Sequence, residues 1–352
     1  MKDSFRALNV PKGAFMPGPV SVVGLGSYLP EDAVGAEFFY RDAPPTDPLA
    51  TSPLFRIPQQ RHHVRPGERA ASMITRAARP MFAGLGGAPT ADILITNVLL
   101  PDQLFTGCGA ETAALLGCDP EWIIDLHNGG CASFPYMIKL ARTLIQAGAG
   151  RTALICNVQN TAGQIFVQPE IRTRSHAAVA GDGCGVAYLA VSAESPVLGV
   201  ETRNSPGFAN DLGPSTQDGR RYWEPGSGQL DVKFDESKGA EIIARGNTLV
   251  PELVTELCKR IDLSPGDIDV LITNQPNRIF LRTWRDALGL PPERHLDTFD
   301  LFGNLYGAGA PVTFHHAVHT NKIHDGDLIV LAGFAHAGDF AAAAALRWHA
   351  AA

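Results

Sequence analysis

Cys131 stands in the stretch NGGCASFPYMIKLARTLIQAG (128–148), behind two glycines and directly ahead of an amphipathic run. Phe134, Met137, Ile138, Ala141, Leu144 and Ile145 recur at helical spacing, Gly148 offers a stop, and EWIIDL before the glycines reads as a strand. The cysteine is therefore expected on a tight strand-to-helix turn. The N-terminus of the helix supplies unpaired N–H groups and the positive end of its dipole, which together favour a thiolate. A thiol so placed is a candidate nucleophile. Cys108, Cys118, Cys156, Cys184 and Cys258 have no such setting and read as small buried residues, the common situation of a free cysteine.

Two other patterns carry less. HHAVH puts His315, His316 and His319 on a predicted helix, with 315 and 319 on one face as two metal ligands would be. No glutamate lies between them and no third ligand is evident, so a surface or packing role is expected and no metal site. GLGSYLP lacks the third glycine of a dinucleotide loop and is followed by a loop, not a helix.

The chain has 352 residues, 45% hydrophobic and 18% charged, ordinary for a globular protein and long enough for two sizeable cores. A net charge of -7 without a Lys/Arg cluster argues against nucleic acid as a partner. The opening MKDSFRALNVPKGAFMPG carries charges and prolines where a secretory leader needs an apolar run, and no stretch approaches a membrane span. Six cysteines without CxxC pairs fit a reduced setting. A cytoplasmic location is expected.

The elements that must position Cys131 recur along the chain. DILITN (92–97) returns as DVLITN (269–274), and TALICNV (152–158) has its counterpart in DLIVLAGF (327–334) about half a chain later. GERAASMITRAARPMF precedes the first strand of one half as GAEIIARGNTLVPELVTELCKRI does in the other, both at helical spacing. Two similar α/β halves follow: 1–194 with the candidate nucleophile and 239–352. Between them, 195–238 is rich in Gly, Pro, Ser and Asp and reads as a long surface excursion. A comparable early excursion covers 41–63.

Taken in order, VVGLGSYLPEDAV, DLHNGGCASFPYMI, VAGDGCGVAYLAVS, FGNLYGAGAPV and GFAHAGDFAAAAALRW resemble the thiolase superfamily, specifically the ketoacyl-ACP synthase III branch, over nearly the whole chain. They are similar to its opening strand, its nucleophile turn, its GDGAGA strand, its GNTSAA-type loop and its Gly-rich C-terminal strand pair. The resemblance implies a five-layered α/β/α/β/α fold of two duplicated halves, a homodimer, and acyl-thioester chemistry at Cys131. Acyl-CoA or an acyl carrier protein would be the donor, with no permanently bound cofactor.

The chain departs from the family at the base. Condensing members use Cys, His and Asn, with the His in a PHQAN stretch; here TNQPNRIF places Asn274 at that position, while Asn304 keeps the other. An amide donates a hydrogen bond but takes no proton at neutral pH. His336, where the resemblance puts a glycine close to the nucleophile, is followed at three residues by Asp339, so a relocated Cys–His–Asp arrangement is one reading and a loop-shaping histidine the other. His127 stands behind it as an alternative base. Arg56, Arg61 and Arg65 fall where the resemblance suggests the CoA or phosphopantetheine arm, and guanidinium suits phosphate; plain exposed charge is the competing reading. The expected function is transfer of an acyl group to an oxygen or nitrogen of a small-molecule acceptor in secondary metabolism. The alternatives are carbon–carbon condensation with an atypical base and a catalytically silent subunit of a heteromeric synthase.

Overall fold

A computed structural model describes residues 18–40, 56–234 and 236–349; of the early excursion, 41–55 lie outside the described residues. The strands are β1 Val20–Tyr28, β2 Asp32–Gly35, β3 Gln60–His63, β4 Ile93–Val98, β5 Trp122–Leu126, β6 Thr152–Gln159, β7 Gly183–Val191, β8 Val197–Asn204, β9 Leu212–Thr216, β10 Leu230–Phe234, β11 Val270–Thr273, β12 His295–Leu296, β13 Leu328–Ala335 and β14 Phe340–Arg347. The helices that build layers are α2 Ala70–Gly84, α3 Gly109–Leu116, α4 Ser133–Gln146, α7 Gly239–Arg260, α8 Arg278–Ala287 and α10 Gly309–His319. Shorter ones are α1 Glu37–Tyr40, α5 Pro169–Arg172, α6 Ser175–Val179 and α9 Phe299–Phe302.

Ten strands form two five-stranded sheets, ordered β1-β7-β6-β4-β5 and β12-β11-β13-β14-β8. Numbered within its own half, each sheet has the same order, so the duplication read from DILITN and DVLITN is a duplication of topology. The two repeats are β4 and β11, each parallel to the strand on either side of it.

Alternation along those strands sets the layers. Ile93 and Ile95 point inward with Ile272, Ile329 and Leu331, where they meet Phe134, Met137 and Ile138 of α4 and Phe314 of α10. Leu94 and Leu154 point the other way, onto Met73, Ile74 and Ala77 of α2. Leu271 and Val330 do the same onto Leu253, Leu257 and Trp284 of α7 and α8. With both faces covered, the strands are apolar almost throughout, as buried parallel sheets require. The result is α/β/α/β/α with α4 and α10 in the middle.

β14 is the exception to local preference. FAAAAALR is a helix-favouring composition, yet it pairs with β13 along eight residues and with β8 on its other side. Its alanines are fully buried, and their small side chains let α4 and α7 approach from the two faces. Packing overrides propensity here.

The excursion expected at 195–238 needs correction. Its first ten residues include β8, the edge strand of the second sheet, buried at Val197 and Val200. Their alternation with polar residues is short and was hidden by the Gly/Pro-rich sequence that follows. The rest, from Ser205, folds back as a short 3-10 turn and the β9–β10 hairpin.

Candidate active site

Three turns converge on Cys131. The first is its own. β5 ends at Leu126, Gly130–Ala132 form a 3-10 turn, and α4 starts at Ser133. Gly130 has φ of 47°, and a Cβ there would lie 2.7 Å from Nε2 of His336 and 2.8 Å from Cβ of Ala335. Only glycine satisfies both conditions. The imidazole of His336 therefore rests against the backbone of the residue next to the thiol.

The second turn joins β13 to β14 through residues 336–339. His336 and Ala337 take left-handed backbone angles, φ 46° and 64°, unusual for residues with a Cβ and common where a loop is held for function. His336 Nδ1 lies 3.1 Å from Asp339 Oδ1, and both side chains are partly buried. With its Nδ1 proton held by the carboxylate, the ring presents Nε2 as the acceptor.

Asn274 and the third turn close the site. Asn274, buried just past β11, accepts a hydrogen bond from Phe334 N at 3.3 Å and donates from Nδ2 to Phe334 O at 3.5 Å, and its amide acts on the Cys131 thiol in favour of the charged form. Gly333 of β13 runs so close that a Cβ would meet the Cys131 carbonyl oxygen at 2.8 Å. Asn304 is buried but turns its Oδ1 to the backbone N–H of Tyr306, at 3.0 Å, while its own N–H donates to Val179 O. It shapes the loop. Gly307 presses this loop onto Ser133 Oγ and Gly130 O. Tyr306 has φ of 47°, and burial followed by the field of Cys131 raises its phenol well above the usual range. In the sequence the one signal at Tyr306 is a bulky residue set among glycines in GNLYGAG.

The expected thiolate is not what the surroundings favour. Burial pushes the Cys131 thiol up to about 12, and the Asn274 amide and the Cys131 N–H oppose this only in part. Desolvation of the charged form opposes the helix terminus. A thiol raised in this way is one that an adjacent base would assist by taking its proton during attack.

The remaining candidates separate. His127 is exposed, on the approach to the turn. Arg61 corrects the expectation of a phosphate ligand: it is fully buried, its guanidinium lies 3.9 Å from the Phe39 ring centroid, and it donates to Pro58 O and Gly35 O. Arg65 is exposed and paired with Asp32 at 2.7 Å and Glu31 at 3.0 Å. Arg56 is exposed. His315 donates or accepts with Ser27 Oγ at 2.8 Å and packs on His319, ring centroids 4.3 Å apart. Among the described residues no group of three or more His, Cys, Asp or Glu is arranged for a metal, and no helix is long and apolar enough to cross a membrane.

Asp182 of the VAGDGCG stretch ties the first half together. It is fully buried and accepts from Val64 N, Ala162 N and Gly163 N at 2.7–2.9 Å. Burial still raises its carboxyl to about 7.

Comparison with known proteins adds to this geometry. The family model for 3-oxoacyl-[acyl-carrier-protein] synthase III matches residues 124–206, and that for its C-terminal part matches 258–348. The β-ketoacyl-[acyl-carrier-protein] synthase III of Rhodospirillum centenum is 28% identical over 345 residues, 95% of this chain and 100% of the relative. Among solved structures, the 3-oxoacyl-(acyl carrier protein) synthase III of Pseudomonas aeruginosa is 24% identical with a TM-score of 0.79, covering 95% of this chain and 99% of that one. The priming β-ketosynthase of the R1128 polyketide pathway is 20% identical with a TM-score of 0.80, covering 96% and 99%.

Proposed function

Because the chain is a ketoacyl-ACP synthase III-like member of the thiolase superfamily, we propose that it is a thioester-dependent acyltransferase working through an acyl-enzyme at Cys131. The observation that carries this reading is the His336–Asp339 pair, 3.1 Å apart, with His336 Nε2 against Gly130 while an amide occupies the position of the condensing histidine.

The chemistry follows from the proton. Nε2 of His336 takes the Cys131 proton as the sulfur attacks the thioester carbonyl carbon, and backbone N–H groups at Cys131 and in the 336–338 turn hold the oxyanion. Collapse breaks the C–S bond of the donor, and the imidazolium returns its proton to the departing CoA or phosphopantetheine thiolate. An acceptor O–H or N–H then gives its proton to Nε2 while attacking the acyl carbon, and the Cys131 sulfur leaves and is reprotonated. No resident cofactor is required. Arg56, exposed in the early excursion, and Arg65, if it exchanges its carboxylate partners, are the residues proposed for the phosphates of the donor.

In this reading the 1–194 half supplies the nucleophile and the 239–352 half the base. A homodimer is proposed from the edge of the first sheet, where β5 exposes Trp122 and Ile123 and the loop before α3 exposes Leu104 and Phe105. A second copy would cover this apolar edge. A role in secondary metabolism is supported by the structural likeness to a polyketide priming enzyme, and a reduced, cytoplasmic setting by the unpaired cysteines.

The test is intact-protein mass spectrometry after incubation with a panel of acyl-CoA thioesters. An adduct of the acyl mass that disappears in Cys131→Ala supports the reading; no adduct with any CoA or carrier-bound donor overturns it in favour of the silent subunit. Condensation is the second reading, favoured by the synthase activity in the names of the relatives. It predicts carbon dioxide release from a malonyl donor, which simple transfer does not.

A further inference from the structure

The left-handed turn at His336 is gripped from outside by residues that touch none of the reacting atoms. Arg245 of α7 donates from Nε to the Ala337 carbonyl oxygen at 2.8 Å and from Nη2 to Asp211 Oδ2 at 2.7 Å. Asp211 is buried, and its Oδ1 accepts from Lys238 Nζ at 2.7 Å. The guanidinium lies 3.7 Å from the centroid of Phe208, which packs on its flat face. Ser205 N donates to the Asp339 carbonyl oxygen. A Cβ on Gly338 would sit 2.7 Å from Arg245 Nε, so the glycine is what lets the guanidinium reach the turn.

We propose that Arg245 and Asp211 are positioning residues that hold the His336–Ala337 backbone in its left-handed form, so that the imidazole lies against Gly130 beside Cys131. The inference rests on the reading of His336 as the base. Two consecutive residues with a Cβ at positive φ relax toward ordinary angles unless their surroundings over-determine them. The fixed fork of an arginine, one arm on the Ala337 carbonyl and another on a buried carboxylate, does so in a way lysine cannot. This also assigns work to the segment after β8: residues 205–211 supply Ser205, Phe208 and Asp211 to the grip. The segment that reads as a surface excursion is the outer wall of the base.

The probe is iodoacetamide, which reports the nucleophilicity of Cys131 without knowledge of donor or acceptor. Alkylation of the Cys131 peptide is followed by mass spectrometry at pH 7.5 in the full-length protein, and folding of each variant is checked by thermal melting. Arg245→Ala is expected to slow alkylation by about 10²-fold, the loss a displaced catalytic group produces. Added guanidinium ion restores much of it, Arg245→Lys does not, and Asp211→Asn gives an intermediate loss. In a His336→Ala background, Arg245→Ala adds nothing further. Parental rates in Arg245→Ala and Asp211→Asn, or an Arg245→Ala loss that persists undiminished without His336, overturn the inference while leaving the base in place. A parental rate in His336→Ala alone removes the base and this inference with it.

Discussion

His336 Nδ1 is 3.1 Å from Asp339 Oδ1 while its Nε2 faces the Gly130 backbone, so one imidazole is oriented by a carboxylate and aimed at the nucleophile turn. This arrangement makes His336 the histidine to test as the base. His336→Ala is expected to lower acyl transfer by about 10²- to 10⁴-fold, the range for a positioned acid–base group. Asp339→Asn keeps the volume but weakens the hold on Nδ1 and should cost less. Steady-state transfer with the acyl-CoA that labels Cys131 measures both, and turnover in His336→Ala equal to the parent would remove the dyad from the mechanism.

Gly130 is one of the points at which the two halves touch at the site. Gly130→Ala introduces a methyl 2.7 Å from His336 Nε2 at a residue with φ of 47°. The backbone strain alone is of order 1–3 kcal/mol, which a chain of this size tolerates. The expected outcome is a folded protein with a modestly lower melting temperature and transfer reduced at least as far as in His336→Ala. A variant that melts normally and turns over normally would mean that the imidazole need not occupy this place.

The thiol pushed up to about 12 predicts an unusual alkylation profile. A cysteine activated as a standing thiolate reaches a plateau near neutrality; Cys131, raised by burial, should in a His336→Ala background, where no base assists, react with iodoacetamide ever faster between pH 7 and 10 with no plateau. Asn274→Leu removes the amide that favours the charged thiol and should slow the reaction at every pH in that range. A plateau below pH 8 would mean that the helix terminus dominates after all.

The strand-to-helix turn at Cys131 and the duplicated α/β halves were legible in the sequence because each rests on a local pattern: Gly-Gly before helical periodicity, and nearly the same apolar hexapeptide twice. The His336–Asp339 contact was legible as well, since the two are three residues apart and a short turn brings them together. What stayed hidden is non-local. Arg61 looks like any surface arginine until β3 folds it inward onto Phe39. Arg245, Asp211 and Phe208 belong to segments whose contact with the 336–339 turn depends on how α7 lies on β14. The helix terminus was visible at Cys131 but the desolvation that opposes it was not, because burial is a property of the packed site.

Asp182 makes a prediction for the whole fold. Its carboxyl is raised to about 7 in the folded protein from the ordinary value of 3.8, with burial as the cause and three backbone N–H donors opposing it. Between these values the folded chain holds a proton that the unfolded chain has released, so stability contributed at this position falls as pH rises from about 4 to 7 and is constant above. Asp182→Asn abolishes that slope. It also turns an NH₂ toward backbone N–H donors at Val64 and Gly163 or at Ala162, leaving at least one buried donor without a partner, at a cost of about 1–3 kcal/mol. Urea unfolding at pH 5 and pH 7.5 in parent and variant separates the two effects. The parent should lose more stability than the variant between these pH values, and the variant should be the less stable protein at pH 5; a variant with the parent's pH dependence would place the titrating group elsewhere.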